Sequence, residues 1–256
     1  MGYLPITGGE EIGRSVELVE VFSLFREPPV QNKSTLLLAV AATSLISMSA
    51  SAAVIASWSM ATAVPAAVTG TSYNYGVADS GDLASGTMLS SGHAAAATTY
   101  SSPTGNGSAY SFSSNNWTIG DYYQVSVSTI GYTGVSISWD QTRSSTGPAT
   151  FDAVMSIDGG ANWTTILAGY SVIQAGLAGT NTTSWNSTTS QAAFTLTAAA
   201  GAAADEQANV LFRLRSTVTT TAAGTNRIDN FIVSTVPAPG AIALLGLAGL
   251  IGRRRR

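Results

Sequence analysis

Cysteine is absent from this chain of 256 residues, histidine and lysine each occur once, and charged side chains make up only 10% of the composition. Roughly 25% is usual for a soluble protein. Without cysteine the chain forms neither disulfides nor thiolate metal sites, and a single histidine does not supply an ordinary zinc site. A folded domain of this composition depends on its hydrophobic core.

Positive charge is scarce where a domain is expected. Residues 53–236 contain four arginines and no lysine against nine acids, a balance of −5. Because phosphate contacts need clustered Lys and Arg, the composition argues against a nucleic-acid-binding domain. The length leaves room for one sizeable domain together with processing segments.

A secretory signal is predicted near the N-terminus. Leu36 to Met48 form a 13-residue, mostly apolar run that follows Lys33. Small residues come directly after it, with alanine at positions Ala50, Ala52 and Ala53. This pattern predicts a signal peptide over residues 30–52 that signal peptidase cuts after Ala52. A buried core helix is the alternative, but it does not account for the small residues.

The first 29 residues fit this signal poorly. They contain five glutamates and two arginines, whereas the region before an export signal is short and basic. We interpret residues 1–29 as an upstream extension of a chain that starts at position 30, with Val30 read as the initiator. An unusually long leader is the rival interpretation.

The C-terminal segment, residues 236–256, has three parts in a fixed order. Pro237, Ala238 and Pro239 come first, and a run of twelve apolar residues follows at 241–252. The chain ends on Arg253, Arg254, Arg255 and Arg256. Twelve residues of helix reach about 18 Å, short of a ~30 Å hydrocarbon core. We expect a short apolar helix that anchors the chain transiently in the inner membrane, with the arginines on the cytoplasmic side.

This tail resembles the PEP-CTERM sorting signal of Gram-negative bacteria, which an exosortase recognises and processes. The resemblance implies delivery to the cell surface or extracellular matrix. Ala238 departs from the family pattern, which has glutamate between the two prolines. A plain C-terminal membrane anchor would also explain the apolar run and the arginines.

Residues 53–235 show short alternating or apolar runs broken by Gly, Asn, Ser and Thr. This pattern predicts an all-β domain, an antiparallel two-sheet sandwich like a jelly roll, with the first strand near the last. The predicted strands are Val54 to Met60, Tyr122 to Ile130, Val135 to Trp139, Thr150 to Ile157, Trp163 to Leu167, Ala192 to Thr197, Val210 to Val218 and Arg227 to Ser234.

Residues 156–163 match the spacing of an Asp-box, a turn found between hairpin strands of sialidases and other β proteins. Its pattern residues here are Ser156, Asp158, Gly160 and Trp163. The aspartate is expected to accept backbone N–H groups of the turn, and the glycine to permit positive φ. One copy indicates a structural hairpin.

Trp117 and Trp185 lie in polar, turn-like stretches and are the candidate carbohydrate contacts. Aromatic faces stack on sugar rings, but large aromatics also fill sandwich cores.

Catalytic and metal sites have weaker support. His93 is expected in a surface loop with no nucleophile motif around it. Glu206 is the only glutamate in the mature domain, whereas glycoside hydrolysis needs a carboxylate pair. No cofactor is predicted, although structural calcium is open at Asp229-Asn230 or at Asp79 with Asp82.

These observations favour an exported structural or interaction protein of the cell surface or matrix, without catalysis. Two alternatives stay open: a carbohydrate-binding module for exopolysaccharide, and a small secreted hydrolase.

Overall fold

The computed structural model describes residues 52–180 and 182–236. These residues form thirteen β-strands and two short 3₁₀ turns, with no α-helix among them. In chain order the strands are β1 (Val54–Trp58), β2 (Val68–Thr69), β3 (Ser72–Gly76), β4 (Met88–Gly92), β5 (Thr99–Ser101), β6 (Phe112–Ser114), β7 (Tyr122–Val127), β8 (Val135–Arg143), β9 (Thr150–Ser156), β10 (Thr164–Ser171), β11 (Thr195–Ala199), β12 (Val210–Ser216) and β13 (Asn226–Thr235).

The strands form two antiparallel sheets. Sheet A has the order β11-β8-β13-β6-β5-β2, with β1 also paired to β13, and sheet B has the order β10-β9-β12-β7-β4-β3. Both sheets are open, and the predicted all-β, antiparallel sandwich is confirmed. The flanking signal and tail helices of that prediction lie outside the described residues.

Side chains that alternate along the strands form the core between the sheets. In β12, Val210, Phe212 and Leu214 are buried while Arg213 and Arg215 lie on the outer face, as the alternation predicts. The largest fully buried side chains are aromatic, and they include Trp58, Trp117, Trp139, Tyr100, Tyr123, Phe112, Phe151, Phe194, Phe212 and Phe231.

Strand β13 is the centre of sheet A. It pairs with β8 along one edge, while its other edge is divided: Asn226 to Ile228 pair with β6, and Phe231 to Ser234 pair with β1. A β-bulge after Asp229 separates the two halves, and Asn230 there has a φ of 48°. Such a bulge changes the direction of the strand, so that one edge of β13 pairs with both β6 and β1.

The predicted neighbourhood of the first and last strands is confirmed. Ala53 donates its N–H to Thr235 Oγ1 (3.0 Å), and Thr235 donates its N–H to the Ala53 carbonyl (2.9 Å). The two ends of the domain therefore meet on one side of β13.

Some strand predictions were wrong in detail. The segment predicted as Ala192 to Thr197 begins with a 3₁₀ turn, Ala192–Phe194, and the strand starts only at Thr195. Trp163 belongs to a hairpin turn and not to β10. Five short strands were not among the predicted strands: β2, β3, β4, β5 and β6. In the part of the chain that the structure describes, no helix has the length and apolarity to cross a membrane.

Candidate functional site

The Asp-box residues form the turn between β9 and β10. The Ser156 hydroxyl donates to Asp158 Oδ1 (2.7 Å), and the Asn162 backbone N–H donates to the same oxygen (3.0 Å). These hydrogen bonds hold the pKa of the Asp158 carboxyl well below its usual range, and the bond from the Asn162 backbone has the largest effect. The Gly160 N–H donates to Ser156 Oγ (2.9 Å), and Trp163 Nε1 donates to the Gly160 carbonyl (3.0 Å). The side chains make the structural contacts that the motif predicts.

Trp163 also takes part in a stack on the outer face of sheet B. The guanidinium carbon of Arg213 lies 3.7 Å from the ring centroid of Tyr122 and 4.1 Å from that of Trp163. Arg213 Nε donates to Gln124 Oε1 at 2.6 Å, which fixes the guanidinium between neighbouring strands. One face of each ring is thus occupied by the cation, and the stack ties β7, β12 and the Asp-box turn together.

Trp117 and Trp185, the candidate carbohydrate contacts, are buried, as in the alternative that large aromatics fill the core. Trp117 is 0% exposed, and its Nε1 donates to the Ser114 carbonyl (3.0 Å). Trp185 is 5% exposed, meets Phe194 edge to face, and lies under the Arg227 guanidinium at 4.9 Å. Polar neighbours in the sequence do not indicate that a tryptophan side chain is exposed, because the loops that carry these rings fold back onto the sheets.

The placement of His93 in a surface loop was also wrong. Its side chain is 0% exposed. Nδ1 lies 3.1 Å from Asp121 Oδ2, and Nε2 lies 3.0 Å from Ser91 Oγ and 3.1 Å from Ser114 Oγ. The ring also packs edge-on against Trp117, with 4.5 Å between centroids. The histidine therefore joins β4, β6 and the start of β7.

This serine, histidine and aspartate chain has the connectivity of a hydrolase triad, but its serines are out of reach. Ser91 and Ser114 are each 1% exposed. A depression of about 430 Å³ lies over His93, Asp121 and Tyr122, and neither serine lines it. A nucleophile must meet its substrate, so the geometry supports a structural network.

Two carboxylates lie side by side in sheet A, as glycoside hydrolysis would require. Asp140 and Asp229 are register partners on β8 and β13, and they are 3% and 0% exposed. Asp229 Oδ2 accepts the Asn106 N–H and the Ser108 hydroxyl, both at 2.6 Å. Asp140 Oδ2 accepts Nδ2 of Asn106 and of Asn230, both at 2.9 Å. The pair is buried and covered by its own hydrogen-bond donors.

Burial raises the pKa of the Asp229 carboxyl to about 6, and the neighbouring charge of Asp140 adds to the rise. The hydrogen bonds from Ser108, Asn106 and Asn230 act in the opposite direction. Desolvation disfavours the charged form, and here it outweighs three donors.

At each of the two aspartates suggested together for calcium, one carboxylate oxygen already accepts a hydrogen bond. Asp79 Oδ2 accepts the N–H and the hydroxyl of Ser59, and Asp82 Oδ2 accepts the Tyr132 hydroxyl. Within residues 52–180 and 182–236, no three His, Asp or Glu side chains gather as metal ligands would. Structural calcium stays a prediction.

A polar cavity on sheet A was missed from the sequence. It has a volume of about 380 Å³, and Arg143 and Arg227 line it together with several serines. Its only sequence signal is that these two residues are half of the four arginines in a domain without lysine.

The sorting and cleavage residues are placed only in part. Ala50, Pro237, Ala238, Pro239 and residues 253–256 lie outside the described residues. Ala52 is the first described residue, and Ala53 is hydrogen-bonded to Thr235 at the start of β1.

No protein family model matches the chain, and no curated protein matches it. Among solved structures it is similar to the K1 cleaved adhesin domain of Lys-gingipain from Porphyromonas gingivalis W83, at 15% identity and a TM-score of 0.38 over 70% of this chain and 97% of that chain. It is also similar to the K2 cleaved adhesin domain of Lys-gingipain, at 13% identity and a TM-score of 0.35 over 52% of this chain and 76% of that chain. The fold described above rests on strand pairing within this chain.

Proposed function

We propose that this chain is an exported structural or interaction protein of the cell surface or extracellular matrix, processed by an exosortase. The observation that carries the proposal is the agreement between the domain boundaries and the two processing signals. The first strand starts at Val54, directly after the predicted cleavage site, and the last ends at Thr235, directly before the proline motif. All thirteen described strands therefore lie between the two predicted signals.

The pairing of Ala53 with Thr235 supports the same proposal. Cleavage after Ala52 would leave a new N-terminus that lies beside the point where the tail begins. Removal of either segment would then leave every described strand in place, since these strands lie between Val54 and Thr235.

A binding or structural role is favoured over catalysis by where the chemically capable side chains lie. The His93 network and the Asp140–Asp229 pair are buried and satisfied by internal hydrogen bonds. Sugar stacking on Trp117 or Trp185 is not part of the proposal, because both rings are buried.

In this proposal, signal peptidase and an exosortase are the processing partners, and the tail holds the chain in the inner membrane until it is cut. This chain would differ from other exosortase substrates at Ala238, where the family pattern has glutamate. Replacing it by glutamate is therefore an informative variant.

Mass spectrometry of the termini tests the proposal on protein recovered from the envelope and medium, with and without the exosortase gene. We expect a chain that starts at Ala53 in both strains and lacks residues 253–256 only when the enzyme is present. Ala238→Glu should be processed at least as fully, and a Pro237→Ala, Pro239→Ala double variant should keep its tail. An intact tail in both strains would make this a membrane-anchored β domain and overturn the exosortase assignment.

A further inference from the structure

The polar cavity on sheet A, lined by Arg143 and Arg227, has an unusual charge for this domain. The domain is acidic overall, yet no acidic side chain lines the cavity. Among the described residues, neither arginine has a carboxylate within ion-pair distance, since the ion pairs there involve only His93 with Asp121 and Arg215 with Asp152.

Each of the two guanidinium groups keeps unused donors. Arg227 donates one N–H to the Thr104 carbonyl (3.1 Å). Arg143 donates Nε to the Val172 carbonyl (3.1 Å), and its Nη1 serves the carbonyls of Ser144 and Ser145 (3.1 and 3.2 Å). A guanidinium has five N–H donors, so both groups retain Nη2, and Arg227 retains Nε.

The arginines are also held in place before any ligand arrives. The Trp185 ring lies 4.9 Å from the Arg227 guanidinium, and the carbonyl contacts of Arg143 fix its plane. Burial lowers the pKa of the Arg227 guanidinium, although the charge of Asp229 opposes this. A positioned, partly desolvated guanidinium binds oxyanions well, because its N–H groups can donate to two oxygens at once.

The rest of the cavity wall is rich in hydroxyl groups. Ser101 and Ser184 line it with hydroxyls that make no hydrogen bond within the described residues, and Ser113 adds a third hydroxyl. No aromatic ring lines the cavity. Its volume of about 380 Å³ lies within the range of small-ligand pockets and exceeds what one inorganic anion fills.

We infer that this cavity binds the carboxylate or sulfate group of an acidic saccharide, with Arg143 and Arg227 on the anion and the serines on the sugar hydroxyls. The saccharide as ligand rests on the proposed surface or matrix function. The anion preference rests on the cavity itself.

Isothermal titration of the full-length chain in detergent micelles tests the inference with four probes. These are a galacturonate trisaccharide, a sulfated trisaccharide, a neutral galactose trisaccharide and inorganic sulfate. We expect one or both acidic trisaccharides to bind, with affinity that falls as salt rises, and the neutral one to bind at least tenfold more weakly. Equal binding of the neutral sugar would overturn the inference of an anion site. Tight binding of inorganic sulfate, without binding of either acidic trisaccharide, would show that the ligand is not a saccharide.

Variants locate the site. Arg227→Gln should weaken binding of the acidic sugar at least tenfold, whereas Arg215→Gln on sheet B makes the same charge change without effect. Ser101→Asp puts a carboxylate into the cavity from an exposed position and should abolish binding, while Thr197→Asp on β11 should not. Circular dichroism verifies that each variant is folded. Unchanged affinity in folded Ser101→Asp would exclude this cavity.

The outcome is independent of tail processing. A processed chain that fails to bind any acidic saccharide refutes only the cavity assignment. A chain that binds but keeps its tail refutes the exosortase assignment instead.

Discussion

His93 connects three buried polar groups, each of which also has a hydrogen bond to another residue. Its two ring nitrogens contact Asp121, Ser91 and Ser114, and its ring packs on Trp117. We expect His93→Ala to lower the free energy of unfolding by about 2–4 kcal/mol, because it leaves a cavity and removes the buried hydrogen bonds of both ring nitrogens. Urea denaturation measures this, and His93→Gln, which keeps one amide contact, should lose less. A loss below about 0.5 kcal/mol would show that the network adds no stability.

Asp229 makes stability depend on pH in a direction opposite to that of most carboxylates. Its pKa is raised from the ordinary 3.8 to about 6, so the folded state binds more protons than the unfolded state between these values. Its contribution is fully present below about pH 3.8 and is lost as pH rises through 6, with an amplitude of about 3 kcal/mol. The lowered pKa of Asp158 acts in the opposite sense and only below pH 3.8.

Urea unfolding at intervals between pH 4 and 6.5, on the wild type and on Asp229→Asn, measures this contribution. The difference between the two free energies should change by a few kcal/mol over that interval. Parallel curves would contradict the raised pKa.

Single residues are also where sequence interpretation failed. Trp117, Trp185 and His93 sit among Ser, Asn, Gly and Ala, and local polarity suggested exposure. Their burial comes from contacts with residues far along the chain, such as the pairing of the Trp185 ring with Arg227. The Asp-box contacts were predictable because Ser156, Asp158 and Gly160 lie within five residues of one another.

Strand β1 contributes to the core more than its length suggests. Trp58 is fully buried, donates Nε1 to the Gly76 carbonyl (3.1 Å) and meets Phe231 of β13 edge to face. We expect Trp58→Ala to cost about 3–5 kcal/mol of unfolding free energy. Val54→Ala, at the exposed start of the same strand, should cost less than about 1 kcal/mol. Similar losses in the two variants, measured by urea denaturation, would contradict this division of the strand.

Strands of strong alternation were predictable, and short polar ones were not. In β12 the Val, Phe and Leu side chains recur at every second position, which is a local signal. In β4 the sequence MLSSG is strand only because β3 and β7 lie on either side of it. Such strands depend on neighbours that the local sequence does not reveal.

In the molecule as a whole, sheet A depends on β13 for its formation. It lies between β8 on one edge and β6 with β1 on the other. We expect a chain that stops after Thr225 to lose cooperative unfolding, and one that stops after Val236 to retain it. Near-ultraviolet circular dichroism during a urea titration distinguishes the two. A cooperative transition in the shorter chain would show that sheet A forms without β13.

The two-sheet class could be predicted because about eight runs of strand length, separated by turn residues, have few other arrangements. The order of strands within each sheet could not, since pairing between β13 and β1 joins residues about 180 positions apart. The Arg143 and Arg227 cavity depends on that order and was therefore also invisible in the sequence.

The divided edge of β13 also determines when sheet A can form during synthesis of the chain. A chain synthesised from its N-terminus contains β1, β6 and β8 long before β13, so the edges that pair with β13 stay unpaired until residue 235 has been made. The apolar segment at 241–252 follows immediately. In the function proposed above, completion of sheet A and arrival of the tail at the membrane would therefore be nearly simultaneous, and the domain would close while its C-terminal end is still held.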